Sequence, residues 1–296
     1  GGDHTVGLVK MEDGNAANFG KDTPMEAWNN EYMKSVRTTM LNGEIPASCT
    51  KCFQEEKLGV VSKRIWEAGT WLQEEIDIPE LIKQTQADGT VPENLVYLDL
   101  RLGHTCNLKC VMCSPHDSSL WVADHKKIYP LFKHIELKKQ MDWDKKSFNN
   151  KWHEKDTFWE EMYAQIPNLK QVYFAGGEPL MMPEHWQILD MLVEHKRFDV
   201  RISYNTNAST LTYGGKNVLD YWRQWEPGKI EVWPSIDEVG ERAELIRAGT
   251  VWSKVEANLK AMMELDNIIV RPGMTIGAWN VCRLPEIITE LIEIGV

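Results

Sequence analysis

Three cysteines of this sequence are close enough together to bind one metal centre: Cys106, Cys110 and Cys113. Three thiolates within eight residues can hold one side of a small inorganic cluster. Closed iron–sulfur and zinc sites normally have four protein ligands, so three ligands with no fourth nearby leave one metal position open, as in catalytic sites. The triad therefore favours a catalytic iron–sulfur site. The alternative is a zinc site completed by His104, His116 or the pair Cys49 and Cys52.

A glycine turn is the second candidate for chemistry. Gly176, Gly177, Glu178 and Pro179 follow a short β-type run at residues 171–174. Two glycines let the backbone approach a ligand closely, and the proline stiffens the exit from the turn. Carbonyl groups exposed in such a turn can accept hydrogen bonds from an ammonium group, and Glu178 would add negative charge. The alternative is an ordinary turn between a strand and a helix.

Polar side chains also end two later β-type runs. Thr206 and Asn207 close the run at 200–204, and Ser235 lies at the end of the run at 230–236, followed by Asp237 and then Arg247. These positions become candidates for binding if the runs are neighbouring strands of one sheet. The alternatives are a polar β-turn at 205–207 and an arginine on a helix surface.

The elements that must position these residues begin at residue 94, where β-type runs alternate with helical patterns. Strands are predicted at 95–100, 171–174, 200–204, 230–236 and 268–271, and helices at about 184–197, 213–225, 250–265 and 284–294. Strands separated by helices indicate βαβ units with right-handed crossovers. We therefore expect an α/β fold for 94–296, a partial (β/α)6 TIM-like barrel that lacks its last strand. Residues 116–168, which are charged and rich in Trp, are expected to form a helical insertion.

The first part of the chain predicts a small, mostly helical module over residues 1–75, joined by a connector at 76–93. The sequence from Thr23 to Glu26 is a capping box with Pro24 at the first helical position, and the helix it begins should end at Asn42. A second helix is predicted over about 53–75. Cys49 and Cys52 fall in the turn between the two helices.

The pattern Cys-x3-Cys-x2-Cys after a first strand, with Gly-Gly-Glu-Pro after the next one, resembles the radical S-adenosylmethionine (SAM) superfamily. The resemblance implies that Cys106, Cys110 and Cys113 hold a [4Fe–4S] cluster whose open iron binds SAM. It agrees with the position of the triad, because loops after barrel strands form the active face of parallel barrels. It implies reductive cleavage of SAM to methionine and a 5′-deoxyadenosyl radical, which abstracts a hydrogen atom from the substrate.

The same resemblance assigns roles around SAM. The turn of Gly176, Gly177, Glu178 and Pro179 would receive the amino group of SAM. Thr206 and Asn207 would line the pocket, while Ser235 and Arg247 would bind the carboxylate, a task that suits a guanidinium better than an ammonium group. Met112 stands where the family usually has an aromatic residue near the adenine, a departure that a polarizable thioether can serve.

The amino-terminal module resembles the SPASM or twitch module, which carries an auxiliary iron–sulfur cluster. The matching features are Gly14-Asn15, Trp28-Asn29, Arg37, Met40 to Gly43, and Cys49-x2-Cys52. In that family further cysteines precede the Gly-Asn pair, and this chain starts too late to show them. The resemblance implies a possible auxiliary cluster at Cys49 and Cys52. A zinc hairpin and an unmetallated pair are the alternatives.

The composition of the chain bears on which partners the protein can bind and on the cellular compartment in which it is found. The net charge of −11 argues against a broad electrostatic grip on nucleic acid or on an anionic membrane, and no apolar stretch has the length of a membrane helix. Clustered cysteines without a signal peptide predict a reduced, cytoplasmic setting. Neither end looks like a natural terminus, so we expect a fragment of a longer protein; a short protein with processed ends is the alternative.

Isolated residues receive structural expectations. Cys282 stands alone and is expected to be a small core residue. Of the 13 tryptophans, some should pack on helical faces: Trp28, Trp186, Trp222 and Trp225. Whether the tryptophans of the insertion form a wall facing the substrate is left open: Trp121, Trp143, Trp152 and Trp159.

The function expected from these features is radical SAM chemistry on a peptide or protein, because modules of this kind often accompany such modification. A flavodoxin- or ferredoxin-type protein would supply the electron. Two alternatives remain open. One is radical SAM modification of a nucleoside or small metabolite, and the other is a non-catalytic binding protein stabilised by zinc.

Overall fold

The structure is a computed structural model of the chain, and it describes residues 8–73, 76–131, 133 and 151–296. The chain divides into two compact units. One comprises Gly1–Asn94 with Asp156–Glu161, and the other comprises Leu95–Lys155 with Met162–Val296. The domain boundaries expected at residues 75 and 93 stay predictions.

The first unit contains short helices: α1 (Pro24–Trp28), α2 (Glu31–Leu41), α3 (Thr50–Lys57), α4 (Lys63–Gln73) and α5 (Ile78–Gln84). The predicted capping box is confirmed, since Thr23 and Glu26 exchange side-chain and backbone hydrogen bonds. The single helix predicted up to Asn42 is wrong. The side chain of Asn30 accepts a hydrogen bond from the Met33 amide and begins a new helix, α2.

The helix predicted over 53–75 is also wrong, because α3 and α4 are separate. Gly59, between them, adopts a positive φ of 77°, which favours glycine and ends helices. Cys52 lies on α3 rather than in the preceding turn, while Cys49 lies in a short 3-10 turn before it. The segment expected to be a connector carries α5.

The second unit is organised by short and long strands: β1 (Tyr97–Arg101), β2 (Lys109–Cys110), β3 (Gln171–Ala175), β4 (Arg201–Thr206), β5 (Thr212–Tyr213), β6 (Lys216–Asn217), β7 (Ile230–Pro234), β8 (Arg247–Ala248) and β9 (Ile268–Val270). Five of them form one parallel sheet in the order β1-β3-β4-β7-β9. The predicted α/β fold with a parallel sheet is confirmed, and the sheet is consistent with the partial barrel expected from the sequence. Two further pairs are antiparallel, β2 with β8 and β5 with β6.

The helices that follow α5 in the described residues are α6 (Val122–Ile128), α7 (Asp156–Gln165), α8 (Pro183–Glu194), α9 (Val218–Trp222), α10 (Gly240–Ile246), α11 (Trp252–Met263) and α12 (Leu284–Ile294). Those predicted near 184–197, 250–265 and 284–294 are confirmed as α8, α11 and α12. The helix predicted over 213–225 is shorter, because Gly214 and Gly215 turn the chain between β5 and β6 first.

One face of the parallel sheet is apolar and packs against helices. Side chains of a strand alternate between two faces, and those of Val172, Phe174, Ile202, Tyr204, Ile230 and Val232 are fully buried on the same face. On that face Phe174 and Tyr204 stack with ring centroids 5.3 Å apart, and Trp222 of α9 lies 5.2 Å from Tyr204. Burial of these large side chains stabilises the fold that positions the strand ends.

The insertion expected at 116–168 is helical where the structure describes it, in α6 and α7. Trp143 lies outside the described residues. Among the tryptophans expected to pack, Trp186, Trp222 and Trp225 are buried and Trp28 is half-buried, and Trp159 of the insertion is also buried. No helix among the described residues is long and apolar enough to cross a membrane.

Candidate active site

The three cysteines of the triad lie on one loop that leaves β1 and runs through the short strand β2. Cys110 lies on β2 and is buried, whereas Cys106 and Cys113 are partly exposed. The segment at 118–121 holds the loop through two hydrogen bonds. The Ser118 hydroxyl donates to the Leu108 carbonyl at 2.6 Å, and the Trp121 indole N–H donates to the Cys110 carbonyl at 2.9 Å. The backbone of the triad is therefore fixed by hydrogen bonds.

Two polar side chains from other strand ends approach the sulfur atoms of the triad. The Asn207 amide Nδ2 lies 3.7 Å from Cys106 Sγ, and Arg247 Nη1 lies 3.7 Å from Cys110 Sγ. The Leu108 amide donates to Cys106 Sγ at 3.4 Å. N–H groups directed at sulfur stabilise a thiolate, which is the form that binds a metal.

The pKa values of the thiols differ because their surroundings differ. Burial raises the pKa of Cys106, against the opposing hydrogen bond from Leu108. The hydrogen bond from the Cys113 thiol lowers the pKa of Cys110, and the Arg247 charge lowers it further. Donating that hydrogen bond raises the pKa of Cys113. The pKa values of Cys110 and Cys113 are thus shifted in opposite directions by one hydrogen bond between the two thiols.

The glycine turn lies directly against the cysteine loop. The Gly177 amide donates to the Gly103 carbonyl at 2.9 Å, and the Glu178 amide donates to the Thr105 carbonyl at 2.8 Å. A Cβ at Gly177 would collide with the Thr105 carbonyl, and one at Gly176 would lie 2.8 Å from the Gly103 carbonyl. The two glycines therefore let the backbone of the turn approach the loop before Cys106 closely, whereas the sequence predicts a close approach to a ligand.

Glu178 is fully buried behind this turn. Its Oε1 accepts from the Leu180 amide at 3.1 Å and the Thr206 hydroxyl at 2.8 Å, and its Oε2 accepts from the Asn207 amide at 2.7 Å. Burial nevertheless raises the pKa of Glu178 to about 7. In this structure the carboxylate joins the ends of β3 and β4, and its exposed fraction is 0%.

Asn207 connects that junction to the cysteine loop. Its Nδ2 donates to Asn107 Oδ1 at 3.0 Å, and its Oδ1 accepts from the Ser209 hydroxyl at 2.6 Å. Asn107 in turn donates to Ser209 at 2.8 Å. The sequence motif pointed to Thr206 and Asn207 but gave no signal for Asn107 or Ser209, since their pairing depends on the meeting of two loops distant in sequence.

Arg247 lies at the start of β8 and not on a helix, because β8 pairs with β2 and places Arg247 opposite Cys110. The alternative of an arginine on a helix surface is therefore wrong. Its Nε and Nη2 donate to Asp237 Oδ2 at 2.8 and 2.6 Å. Asp237 is fully buried, and its Oδ1 also accepts from the Thr275 amide at 2.7 Å. Asp237 is two positions after Ser235 in the sequence, but the sequence pattern assigns it no role.

The remaining predicted positions lie at the same end of the sheet. Ser235 directly follows β7, where its amide donates to the Thr206 carbonyl at 2.8 Å. Pro179 is buried within a 3-10 turn, and Met112 is half-buried between Cys110 and Cys113 in the chain. The structure thus brings the ends of β1, β3, β4 and β7 and the strand β8 around one cysteine loop.

The donor set fits a cluster with three protein ligands. Three thiols lie on one loop, and N–H groups of Asn207 and Arg247 face two of the sulfurs. Among the described residues, no group of three or more His, Cys, Asp and Glu side chains is gathered as a single metal ion requires. A cluster does not need that arrangement, because each thiolate binds a different iron.

The other cysteines lie outside the loop that carries the triad. Cys49 and Cys52 belong to the first unit and are partly exposed. Cys282 is exposed in the turn before α12, so the expectation of a core position is wrong. The side chain at such a turn is buried only if a neighbouring element covers it, and the local sequence does not determine that.

Comparison with known proteins adds the family. The family model of the Radical SAM superfamily matches residues 100–284. Among curated protein sequences, none matches this chain.

Solved structures with some likeness include SuiB of Streptococcus suis bound to S-adenosylmethionine, at 16% identity and a TM-score of 0.43, covering 82% of this chain and 46% of that one. SuiB bound to the precursor peptide SuiA matches at 15% identity and a TM-score of 0.43, covering 89% and 53%. TYW1 with a lysine-pyruvate adduct bound matches at 16% identity and a TM-score of 0.29, covering 70% of both chains. The chain spans about half the length of the SuiB chains it matches.

Proposed function

Because this chain belongs to the radical SAM superfamily of enzymes, we propose that Cys106, Cys110 and Cys113 hold a [4Fe–4S] cluster that binds SAM at its open iron. The observation that carries the proposal is the meeting of the cysteine loop with the glycine turn through the Gly177 and Glu178 amides. The two motifs are 63 positions apart from Cys113 to Gly176, and the fold joins them at one end of the sheet.

Held by Cys106, Cys110 and Cys113, a reduced cluster would supply the one electron needed to cleave a carbon–sulfur bond of SAM into methionine and a 5′-deoxyadenosyl radical, which would abstract a hydrogen atom from the substrate. The protein binds and orients SAM and the substrate, and it excludes water from the site. Arg247, held at two nitrogens by Asp237, is proposed to orient the carboxylate of SAM together with Ser235. Backbone carbonyls of the turn at 176–179 are proposed to accept from its amino group, with Met112 beside the adenine.

Within that proposal Glu178, Thr206 and Asn207 have a different task from direct binding. The Glu178 carboxylate is fully buried and hydrogen-bonded to two backbone amides and to Thr206. We assign it to fixing the ends of β3 and β4, so that the Asn207 side chain faces Cys106. The pocket is then preorganised before SAM binds.

The substrate is proposed to be a peptide or protein. Support comes from the likeness of residues 1–75 to the SPASM or twitch module and from the chain's net charge of −11, which disfavours a polyanionic substrate. Cys49 and Cys52 are proposed to contribute to an auxiliary iron–sulfur cluster. An electron donor of the flavodoxin or ferredoxin type is proposed as the partner.

The test is anaerobic reconstitution with iron and sulfide, followed by assay of 5′-deoxyadenosine in the presence of SAM and dithionite. The wild type should release 5′-deoxyadenosine, and Cys106→Ala, Cys110→Ala and Cys113→Ala should each abolish it. Cys282→Ala is the matched control, because Cys282 is an exposed thiol outside the loop. Loss of product in that control alone, or equal product from all four variants, would contradict the proposal.

A further inference from the structure

The second face of the parallel sheet is polar, which is unusual for a parallel sheet. Both faces of parallel sheets are normally covered and apolar. Here many of the alternate residues opposite the helices are charged or polar, although Ala175 and Ile269 are apolar. We use the name open face for the surface of six residues on this side: Asp99, Arg101, Asn205, Glu231, Trp233 and Arg271. Polar groups on a sheet face that is otherwise built for burial indicate a binding surface.

The register of the strands orders these residues into two rows. Asp99 lies level with Tyr173, Ser203 and Glu231 in the row further from the cysteine loop. Arg101, Asn205, Trp233 and Arg271 form the row at the carboxyl ends of the strands. Arg101 therefore lies at the end of the edge strand β1, and Arg271 directly follows the other edge strand, β9, at the end of the sheet that bears the cysteine loop.

The two arginines differ in how far they are already paired. Arg271 forms a close ion pair with Glu231, and its guanidinium lies 5.9 Å from the Trp233 ring centre. Arg101 Nε is 3.7 Å from Asp99 Oδ1, beyond hydrogen-bond length, and the Arg101 side chain is 68% exposed. Among the described residues no group accepts a hydrogen bond from Arg101. Its planar set of donors is therefore available to a ligand.

Arg101 is also next to the proposed SAM site. Its Cα lies 3.6 Å from the place a Cβ would take on Gly176, and five positions separate it from Cys106. A substrate group held by Arg101 is thus held at the end of the barrel where hydrogen abstraction is proposed.

We propose that Arg101 binds the side-chain carboxylate of an acidic residue in the substrate peptide, an inference that rests on the proposed peptide-modifying function. A guanidinium binds a carboxylate through two parallel hydrogen bonds. The open face carries the carboxylates of Asp99 and Glu231 beside the guanidinium groups of Arg101 and Arg271, and Arg201 lies further along β4 on the same side of the sheet. A segment with charged side chains of both signs complements it, whereas the repeated phosphates of a nucleic acid would meet Asp99 and Glu231.

The experiment compares short capped peptides by ligand-observed NMR on the whole chain. The probes are Ac-Ala-Glu-Ala-NH2, the neutral Ac-Ala-Gln-Ala-NH2, and Ac-Ala-Gln-Ala-OH with a free terminal carboxylate. The Glu peptide should bind about tenfold more tightly than the neutral one, since one charge-assisted bidentate pair distinguishes them. Arg101→Gln should remove that preference, Arg101→Lys should reduce it, and Arg223→Gln, an exposed arginine elsewhere on the chain, should retain it.

Equal binding of the Glu and neutral peptides to the wild type overturns the inference, as does a preference that survives in Arg101→Gln. Absence of Glu-peptide binding at millimolar concentration overturns it too. Tighter binding of the free-terminus peptide would assign Arg101 to a terminal carboxylate instead, and Arg101-dependent binding of a tetranucleotide would assign it to phosphate. Peptide binding is measured without turnover and tests the role of Arg101 alone. Cleavage of SAM by the wild type is a separate measurement that tests the proposed function, so a failure of one can be distinguished from a failure of the other.

Discussion

Arg247 is held by the fully buried carboxylate of Asp237 through two hydrogen bonds of 2.8 and 2.6 Å, while a third nitrogen lies 3.7 Å from Cys110 Sγ. The pair joins the end of β7 to the strand β8 that lies beside the cysteine loop. Its geometry fixes the direction of a guanidinium before any ligand arrives. Asp237 is therefore expected to matter for SAM binding although it is not itself placed against SAM.

The first prediction concerns Asp237→Asn. Removing one charge of a buried pair costs about 3 kcal/mol of unfolding free energy, and the freed guanidinium should weaken SAM binding by roughly tenfold, equivalent to about 1.4 kcal/mol. Urea unfolding and SAM titration of the reconstituted protein measure the two effects. Asp220→Asn is the control, because Asp220 pairs with Arg223 on the surface with 69% exposure. Unchanged SAM affinity in Asp237→Asn would contradict the positioning role.

The second prediction concerns Gly177→Ala. The new Cβ would collide with the Thr105 carbonyl, and overpacking of this kind costs about 1–3 kcal/mol. Since the displaced backbone carries Cys106, bound iron per chain should fall together with the melting temperature. Gly69→Ala is the matched control, because Gly69 lies in α4 with open space around its Cα and alanine stabilises a helix by about 0.5–1 kcal/mol. A Gly177→Ala protein with normal iron content would refute the close-approach argument.

The third prediction concerns the pH dependence of stability. His185 is fully buried beside Phe174 and Tyr204, and burial lowers the pKa of His185 to about 3. In the unfolded chain His185 has its ordinary pKa of about 6.5 and takes up a proton near that pH, whereas in the folded chain it does not. The contribution of His185 to the free energy of unfolding is therefore present above about pH 6.5 and is lost as the pH falls below it. Between pH 6.5 and 5 this contribution should fall by about 2 kcal/mol.

His185→Phe tests this assignment because it removes the titrating group and keeps a ring in the core. Urea unfolding of both proteins at several pH values between 7 and about 4.5 covers the range over which the unfolded histidine gains its proton. The wild type should lose more free energy of unfolding than the variant. Parallel pH profiles for the two proteins would show that His185 does not titrate in this way.

The fourth prediction concerns the proposed auxiliary cluster. If Cys49 and Cys52 hold iron in this chain, the double variant Cys49→Ser with Cys52→Ser should fall to about four irons per chain. Release of 5′-deoxyadenosine should persist in it, since these residues are not part of the triad. Cys282→Ser is the control for loss of an exposed thiol. Equal iron content in the wild type and the double variant would count against a cluster at these positions.

The parallel sheet was predictable because its strands are short apolar runs with β-branched and aromatic residues, separated by helical periodicity. Runs such as 171–174 and 230–236 contain the residues that are now fully buried, including Val172 and Ile230. The cysteine and glycine motifs were predictable for a different reason, since each is contiguous and directly follows a strand.

Pairings between distant segments were not predictable from local sequence. The position of Arg247 on β8 depends on its pairing with Cys110 across 137 positions, and no local pattern distinguishes that from a helical surface. The same holds for the full burial of Glu178, which needs the ends of β3 and β4 to close over it. The breaks after Trp28 and at Gly59 were missed because a capping Asn and one glycine override an otherwise continuous helical pattern.

The central claim is that the triad holds a cluster with an iron open to SAM, and electron paramagnetic resonance tests it most directly. The anaerobically reconstituted protein should be brown, and after reduction with dithionite it should give the signal of a reduced [4Fe–4S] cluster. Adding SAM should change that signal, because SAM would bind the iron that no cysteine occupies. A colourless protein that contains only zinc, or a cluster signal that SAM leaves unchanged, would contradict the account.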